Sequence, residues 1–198
     1  AEPGGSRFVL QLPQGTTLEL WLPLMGRHNV VNSLAAAAAA HALGASGEEI
    51  QQGLSQANAV KGRLNLLPGR GGAAIVDDSY NANPESVRVA LDYLRECGGE
   101  RIFILGDMAE LGENSPTLHQ EIGEYARDCC DALFAIGDLS RHAADAFGPR
   151  GQFFLEANAL QRALEPLLAE NTTLLLKGSR VMGLDQLVAL LKTENGVG

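Results

Sequence analysis

Ala73-Ala74-Ile75-Val76-Asp77-Asp78-Ser79-Tyr80-Asn81-Ala82-Asn83-Pro84 reads as an apolar strand, a polar turn and the first residue of a helix. The four leading residues form a short apolar run, the pattern of a strand buried on both faces of a parallel sheet. Pro84 suits the first helical position, which needs no N–H, and Glu85 suits the positive end of that helix. Between them the turn holds two carboxylates, a hydroxyl, a phenol and two amides. Asp, Asn and Ser serve turns through local backbone bonds, but this turn carries more polar groups than one reversal needs. Open α/β sheets bind ligands at the carboxyl ends of their strands, so the stretch predicts both a parallel sheet and a site at its edge.

Working outward, further strands are predicted at Arg63–Leu67, Arg101–Leu105, Ala132–Ile136, Gln152–Leu155 and Thr173–Lys177. Helices are predicted near Glu85–Cys97, Thr117–Asp128, Ser140–Phe147, Ala157–Glu170 and Gly183–Lys192. This alternation means a mostly parallel sheet with flanking helices, a Rossmann-like α/β domain. Upstream, Phe8–Leu10 and Leu18–Leu22 read as strands joined near Gln14-Gly15, and Pro23-Leu24-Met25-Gly26 breaks the second. A helix follows from about His28 to Leu43 and ends at Gly44; its run Ala35 to Ala40 is expected to pack. Ser46 with Glu48 and Glu49 caps a shorter helix reaching Gln56, and Asn58-Ala59-Val60-Lys61-Gly62 reads as a linker. Domains are therefore placed at 1–60 and 61–198.

The chain has 198 residues, 45% of them hydrophobic and 5% aromatic, and a formal net charge of −9, enough apolar content for a sizeable core. That charge argues against nucleic-acid partners, which require a cationic surface. A small phosphate ligand needs only local donors. Cys97, Cys129 and Cys130 show neither disulfide nor metal-ligand spacing and are expected to be buried thiols. No run has the length of a membrane span, and Ala1-Glu2-Pro3-Gly4-Gly5-Ser6 lacks a signal pattern, so a cytoplasmic protein is expected.

Polar groups recur at the ends of the strands. Arg101–Leu105 leads into Gly106-Asp107-Met108-Ala109-Glu110-Leu111-Gly112, Ala132–Ile136 into Gly137-Asp138, and the last strand ends in Lys177-Gly178-Ser179-Arg180. Parallel strands place these ends along one edge, forming a crevice. Lys177 and Arg180 suit a carboxylate or phosphate; the alternative is a salt bridge to Asp107 or Asp138. A phosphate loop requires Gly-Lys-Ser/Thr, and none occurs in these residues. Asn29 and Asn32, in Gly26-Arg27-His28-Asn29-Val30-Val31-Asn32, stand three apart at a helix start, where amides can read an adenine edge. Alternatively Asn29 caps the helix, Asn32 is a buried partner of backbone groups, and His28 is structural. His41 and His119 have no motif around them.

In this order, Gly26-Arg27-His28-Asn29-Val30-Val31-Asn32, Gly62-Arg63, Asp77 through Pro84, Leu105 through Gly112, and Lys177-Gly178-Ser179-Arg180 resemble the motifs of the Mur ligases. The resemblance runs from about Phe8 to Lys192. It implies an ATP-dependent amide ligase of peptidoglycan precursor synthesis, which phosphorylates a carboxylate to an acyl phosphate that an amine then attacks. The Asp77–Pro84 and Leu105–Gly112 strings further imply UDP-N-acetylmuramoyl-tripeptide and D-alanyl-D-alanine as its substrates. By position, Asn29 and Asn32 would contact adenine, Arg63 the phosphates and Asp78 the ribose. Tyr80, Asn81 and Asn83 would shape the nucleotide and domain contact, while Asp107, Lys177, Ser179 and Arg180 would border the dipeptide.

The resemblance also implies that residues 1–60 are the C-terminal remainder of a central ATP-binding domain and 61–198 the C-terminal ligase domain. The phosphate loop, the Mg2+-binding acidic residue, a modified lysine and a UDP-binding domain are expected upstream of residue 1, so no complete catalytic or metal site is expected here. The chain alone is then expected to be inactive. Alternatives are another Mur-type ligase, a folylpolyglutamate ligase, or a non-catalytic nucleotide-binding Rossmann-like module.

Overall fold

The computed structural model describes residues 5–193 except Gln14, Met25 and Ala59, together with the backbone but not the side chain of His28. The chain divides into two compact units, Ala1–Val60 and Lys61–Gly198.

In the first unit, β1 (Ser6–Gln11) and β2 (Thr17–Leu22) form an antiparallel pair with Arg7 opposite Trp21. Gln14, in the expected turn, and Met25, in the expected break, lie outside the described residues. Helices α1 (Arg27–Ala42) and α2 (Gly47–Ser55) follow. Ser46 and Glu49 form a reciprocal capping box at the start of α2, satisfying two end amides. Leu12, Ala37 and Ile50 are the buried centre of a small core. The alanine run packs less than expected: Ala37 is buried and Ala40 half-buried, while Ala35, Ala36, Ala38 and Ala39 are exposed. High helix propensity alone accounts for the helical state of those four. Of the expected linker, Ala59 lies outside the described residues.

The second unit is a six-stranded sheet with helices on both faces. Its elements are β3 (Asn65–Pro68), β4 (Ala74–Asp78), α3 (Pro84–Arg95), β5 (Glu100–Gly106), α4 (Ser115–Ala126), β6 (Ala132–Ile136), α5 (Arg141–Phe147), β7 (Gly151–Phe154), α6 (Ala157–Leu164), β8 (Thr172–Lys177) and α7 (Leu184–Leu191). The strand order is β3-β4-β8-β5-β6-β7, parallel throughout except for β3, which runs antiparallel to β4. Successive residues of the central strands face opposite layers. Val76, Phe103, Leu105, Leu133 and Leu175 join Val87, Leu91 and Ile122 in one core. Ile75, Ile102, Ile104, Leu174 and Leu176 join Leu160, Leu187 and Leu191 in the other. Each such side chain contributes about 1.5–3 kcal/mol on burial, which explains the unbroken apolar strand sequences.

Among the boundaries that differ from the sequence expectation, three have a plain backbone cause. The first strand of this unit begins at Asn65 rather than Arg63, because Gly62 (φ 76) and Leu64 (φ 48) take left-handed backbone that no strand admits. The helix expected over Ala157–Glu170 ends at Leu164 and tightens into a single 3-10 turn at Glu165–Leu167, where Pro166 has no N–H to donate. Helix α4 starts at Ser115, two residues early, with Pro116 in its first turn.

Candidate functional site

The register places Asp78, the last residue of β4, beside Lys177, the last residue of β8. Lys177 Nζ donates to Asp78 Oδ2 at 2.6 Å and to the Asn81 carbonyl at 2.9 Å. The other carboxylate oxygen of Asp78 accepts the Leu64 N–H at 3.1 Å. Neither salt bridge considered for Lys177, to Asp107 or Asp138, forms: Lys177 pairs with Asp78 on β4, Asp107 after β5 turns to the Leu139 and Ser140 N–H groups, and β6, which leads to Asp138, is not a neighbour of β8. The left-handed Gly62–Leu64 segment is fastened to the turn a second time, by the Tyr80 N–H to the Gly62 carbonyl at 3.0 Å. Glycine is required at 62: a Cβ there would sit 3.0 Å from the Tyr80 nitrogen.

Most polar groups of the turn are thus committed within the protein. Asp77 accepts from the Ser79 hydroxyl at 2.6 Å and the Ser79 N–H at 3.2 Å, the local bonding open to any turn aspartate. Asn83 caps α3, accepting from the Ser86 N–H at 2.8 Å while its own N–H donates to Ser86 Oγ. Tyr80 and Asn81 remain exposed. Two guanidinium groups lie over the Tyr80 ring, Arg63 at 4.7 Å and Arg180 at 5.3 Å from its centroid, held by the ring quadrupole. The edge therefore presents two exposed cations converging on one phenol, in a chain of net charge −9. That arrangement suits an anionic ligand with a planar or phosphate group.

The neighbouring loop, Asp107 to Gly112 after β5, is clamped from three sides. Ser179 Oγ accepts the Ala109 N–H at 2.7 Å, and the Ser179 N–H donates to the Asp107 carbonyl at 2.9 Å. Asp107 Oδ1 accepts the Leu139 and Ser140 N–H groups at 3.1 and 2.7 Å, satisfying donors at the start of α5. His119 accepts the Met108 N–H on Nε2 at 2.9 Å while Nδ1 faces the Ser115 carbonyl at 2.7 Å. A carbonyl only accepts, so Nδ1 carries the proton and the ring is neutral. Burial is the main cause holding the His119 pKa below its ordinary value, opposed by the Ser115 carbonyl and Asp107. Glu110 (φ 63) is the non-glycine residue of this loop with left-handed backbone.

Of the residues expected at the site, Arg63, Asp78, Tyr80, Asn81, Asn83, Asp107, Lys177, Ser179 and Arg180 belong to the second unit. Lys177 and Ser179 are 2% and 3% exposed and Asp78 8%. Their side chains brace the edge instead of bordering open solvent. Asn29 and Asn32 lie in the first two turns of α1. The cap expected of Asn29 is supplied by Gly26, without a side-chain bond. Asn29 is half-buried, and Asn32 is exposed instead of buried. The side chain of His28 lies outside the described residues. His119 and Leu64 carry no sequence signal of their roles: His119 bonds the main chain of Met108 and Ser115, and Leu64 acts through its own N–H to the Asp78 carboxylate. Glu110 was visible only as a letter of the loop motif.

Cys129 and Cys130 are buried and Cys97 is half-buried, with burial pushing the Cys130 thiol up to about 12. Among the described residues, no three His, Cys, Asp or Glu side chains gather where they would hold a metal ion. No helix there is long and apolar enough to cross a membrane.

Residues 62–180 match the model of the Mur ligase, glutamate ligase domain. The UDP-N-acetylmuramoyl-tripeptide–D-alanyl-D-alanine ligase of Escherichia coli is 40% identical over 195 residues, 97% of this chain and 42% of that protein. The Bacillus subtilis enzyme of the same name is 31% identical, over 93% of this chain and 41% of its own length. A crystal structure of MurF from Acinetobacter baumannii superposes with a TM-score of 0.85 at 35% identity, covering 96% of this chain and 42% of that one. The ADP complex of the Thermotoga maritima MurF ligase shares the fold, with a TM-score of 0.80 at 22% identity over 96% of this chain and 44% of that one. The chain thus spans less than half the length of these relatives.

Proposed function

The chain belongs to the Mur ligase family, and from that premise we propose that it serves an ATP-dependent ligase joining D-alanyl-D-alanine to UDP-N-acetylmuramoyl-tripeptide. The relatives that carry that activity by name match nearly all of this chain. The structural observation that carries the reading is the Arg63–Tyr80–Arg180 cluster at the carboxyl edge of parallel strands.

In this reading Arg63, stacked on Tyr80, meets the nucleotide phosphates, and Asn81 and Arg180 extend the same surface. Arg63 offers a planar fork for phosphate oxygens, and stacking on Tyr80 restricts the conformations it must lose on binding. Asp78, with Lys177, holds the Gly62–Leu64 segment in the shape that presents Arg63. A ribose contact of Asp78 would come in addition to its bonds with Leu64 and Lys177. Asn83, Asp107 and Ser179 fix the turn, the α5 start and the loop. Asn29 and Asn32 are proposed for the adenine. Residues 1–60 are taken as part of the family's central ATP-binding domain and 61–198 as its C-terminal domain. Magnesium, which would supply charge neutralisation at the nucleotide phosphates, is proposed to be held mainly by residues other than these.

The ligase chemistry itself balances simply. Phosphoryl transfer to the tripeptide carboxylate gives an acyl phosphate and ADP; the dipeptide amine attacks the acyl carbon, phosphate leaves, and the amine proton is lost. Fixed cations at the phosphates stabilise the charge that moves in such a transfer. A cytoplasmic location follows from the nucleotide substrates.

The test uses the full-length protein with ATP, UDP-N-acetylmuramoyl-tripeptide and D-alanyl-D-alanine. The pentapeptide product and stoichiometric phosphate are expected. Release of product only with a single amino acid or with glutamate as acceptor would overturn the assignment in favour of another ligase of the family. Nucleotide binding without any product would overturn it in favour of a binding module. The isolated 198 residues, lacking a Gly-Lys-Ser/Thr loop, are expected to release no phosphate.

A further inference from the structure

The two edges of the six-stranded sheet are finished differently. On one side β3 ends in Pro68, which has no N–H to offer, and the chain beyond α7 returns to cover it. The Thr193 N–H and hydroxyl both donate to the Pro68 carbonyl, at 3.0 and 3.2 Å, and Gly69 bridges Lys192. Proline and a covering segment are devices that blunt an edge against further pairing. The opposite edge, β7, reads Gly151-Gln152-Phe153-Phe154, with neither proline nor lysine. Among the described residues no strand lies beyond it.

The ladder fixes which groups of β7 point outward. The Leu133 N–H of β6 donates to the Arg150 carbonyl at 3.2 Å, and Leu133 stands beside Gly151 in the register. Backbone groups alternate sides along a strand, so Gln152 and Phe154 serve β6 while Gly151 and Phe153 face away from it. The Gly151 N–H is taken by the Gly148 carbonyl at 2.8 Å. Among the described residues, the Phe153 N–H and carbonyl meet no partner. The side chains here are apolar as well: Phe153 and Phe154 are half-buried, and Leu155 is 83% exposed.

We propose that β7 pairs antiparallel with β7 of a second copy of this protein, about a two-fold axis at Phe153. A two-fold contact demands a self-complementary edge, and this edge meets that demand. With Phe153 opposite its own copy, the free N–H and carbonyl of each satisfy the other. Leu155 falls opposite Gly151 of the second copy, which covers an exposed apolar side chain. Arg150 falls opposite Glu156 of the second copy, twice by symmetry, and opposite charges facing each other across strands stabilise a sheet. Both side chains are exposed, and Glu156 keeps extended backbone at φ −129 and ψ 139. Arg150 reaches Glu100 through Nη2 at 2.8 Å, which leaves other guanidinium donors for a second carboxylate. A register centred on Gln152 instead sets Phe153 opposite Gly151, whose N–H is already bonded, and removes both charge pairs. So short a strand makes a small contact, and the dimer is expected to be weak and concentration-dependent.

The experiment is sedimentation velocity of the full-length protein over a wide range of concentration, with dimer expected to grow in as concentration rises. Arg150→Glu and Glu156→Arg each set like charges opposite one another and are expected to weaken association at least tenfold. The double variant carrying both restores opposite charges and is expected to recover most of the wild-type affinity. A folding defect in either single variant would not be repaired by adding the other, so recovery reads the contact itself. Leu155→Asp, at a position exposed in the single copy, is expected to leave a monomer throughout. A wild-type protein that stays monomeric at every concentration overturns the proposal. So does a dimer that the single variants leave intact, or one that the double variant fails to restore.

Discussion

Lys177 and Asp78 end adjacent parallel strands and pair across 2.6 Å, with side chains only 3% and 11% exposed. Desolvating both charges offsets much of their attraction, so the intact pair adds little net stability. Losing one partner is a different matter. Lys177→Met is expected to destabilise the protein by about 3–5 kcal/mol, because it takes the ammonium away from the buried Asp78 carboxylate. Combining it with Asp78→Asn, which keeps an acceptor for the Leu64 N–H, is expected to recover part of that loss. Urea unfolding midpoints of the two single variants and the double variant check this; a Lys177→Met effect under about 1 kcal/mol would place the pair among exposed ones.

His119 makes stability depend on pH in a defined direction. Its folded pKa lies below the ordinary value of 6.5, first through burial, with the neighbouring His142 acting the same way and Asp107 opposing. The unfolded chain therefore binds a proton before the folded one does. The contribution of neutral His119 is complete above pH 6.5 and is lost as pH falls below it toward the depressed folded value. Melting temperatures at pH 7.5 and 5.5 are expected to differ less in His119→Gln, whose amide serves both Met108 and Ser115 without titrating. An equal drop in the variant would assign the acid sensitivity to other groups.

Gly123 lets α4 lie directly on α5. A Cβ at this position would fall 2.7 Å from the Ala143 Cα and 2.8 Å from its carbonyl carbon, backbone atoms that no rotamer change can move aside. Ala exceeds Gly in helix propensity by about 1 kcal/mol, whereas overpacking costs typically about 1–3 kcal/mol and falls on a main chain here. Gly123→Ala is expected to lower stability despite its better propensity. A melting temperature equal to or above wild type would show that the two helices separate freely.

Tyr80 anchors two guanidinium groups through its ring faces. Tyr80→Phe is expected to leave KM for ATP and for the dipeptide nearly unchanged in the full-length ligase. Tyr80→Leu removes both stacks, each worth about 0.5–1 kcal/mol at an exposed site. KM for each substrate is then expected to rise about two- to fivefold. Equal kinetics for the Phe and Leu variants would sink the role given to the ring.

The sequence by itself determined the α/β alternation, the parallel edge and the residues that gather there. Short unbroken apolar runs with helices between them leave few topologies open, and Pro84 marks a helix start wherever the chain goes. The same letters did not reveal which polar groups meet solvent. Asp78, Asn83, Lys177 and Ser179 read as ligand groups, and each makes hydrogen bonds that hold the frame; Tyr80, Arg63 and Arg180 are exposed on it. That difference was decided by strand order. Inserting β8 between β4 and β5 brings Lys177 to Asp78 across 99 residues of chain and Ser179 to the loop after β5. A buried hydrogen bond satisfies one particular partner, and only the packed sheet determines which partner that is.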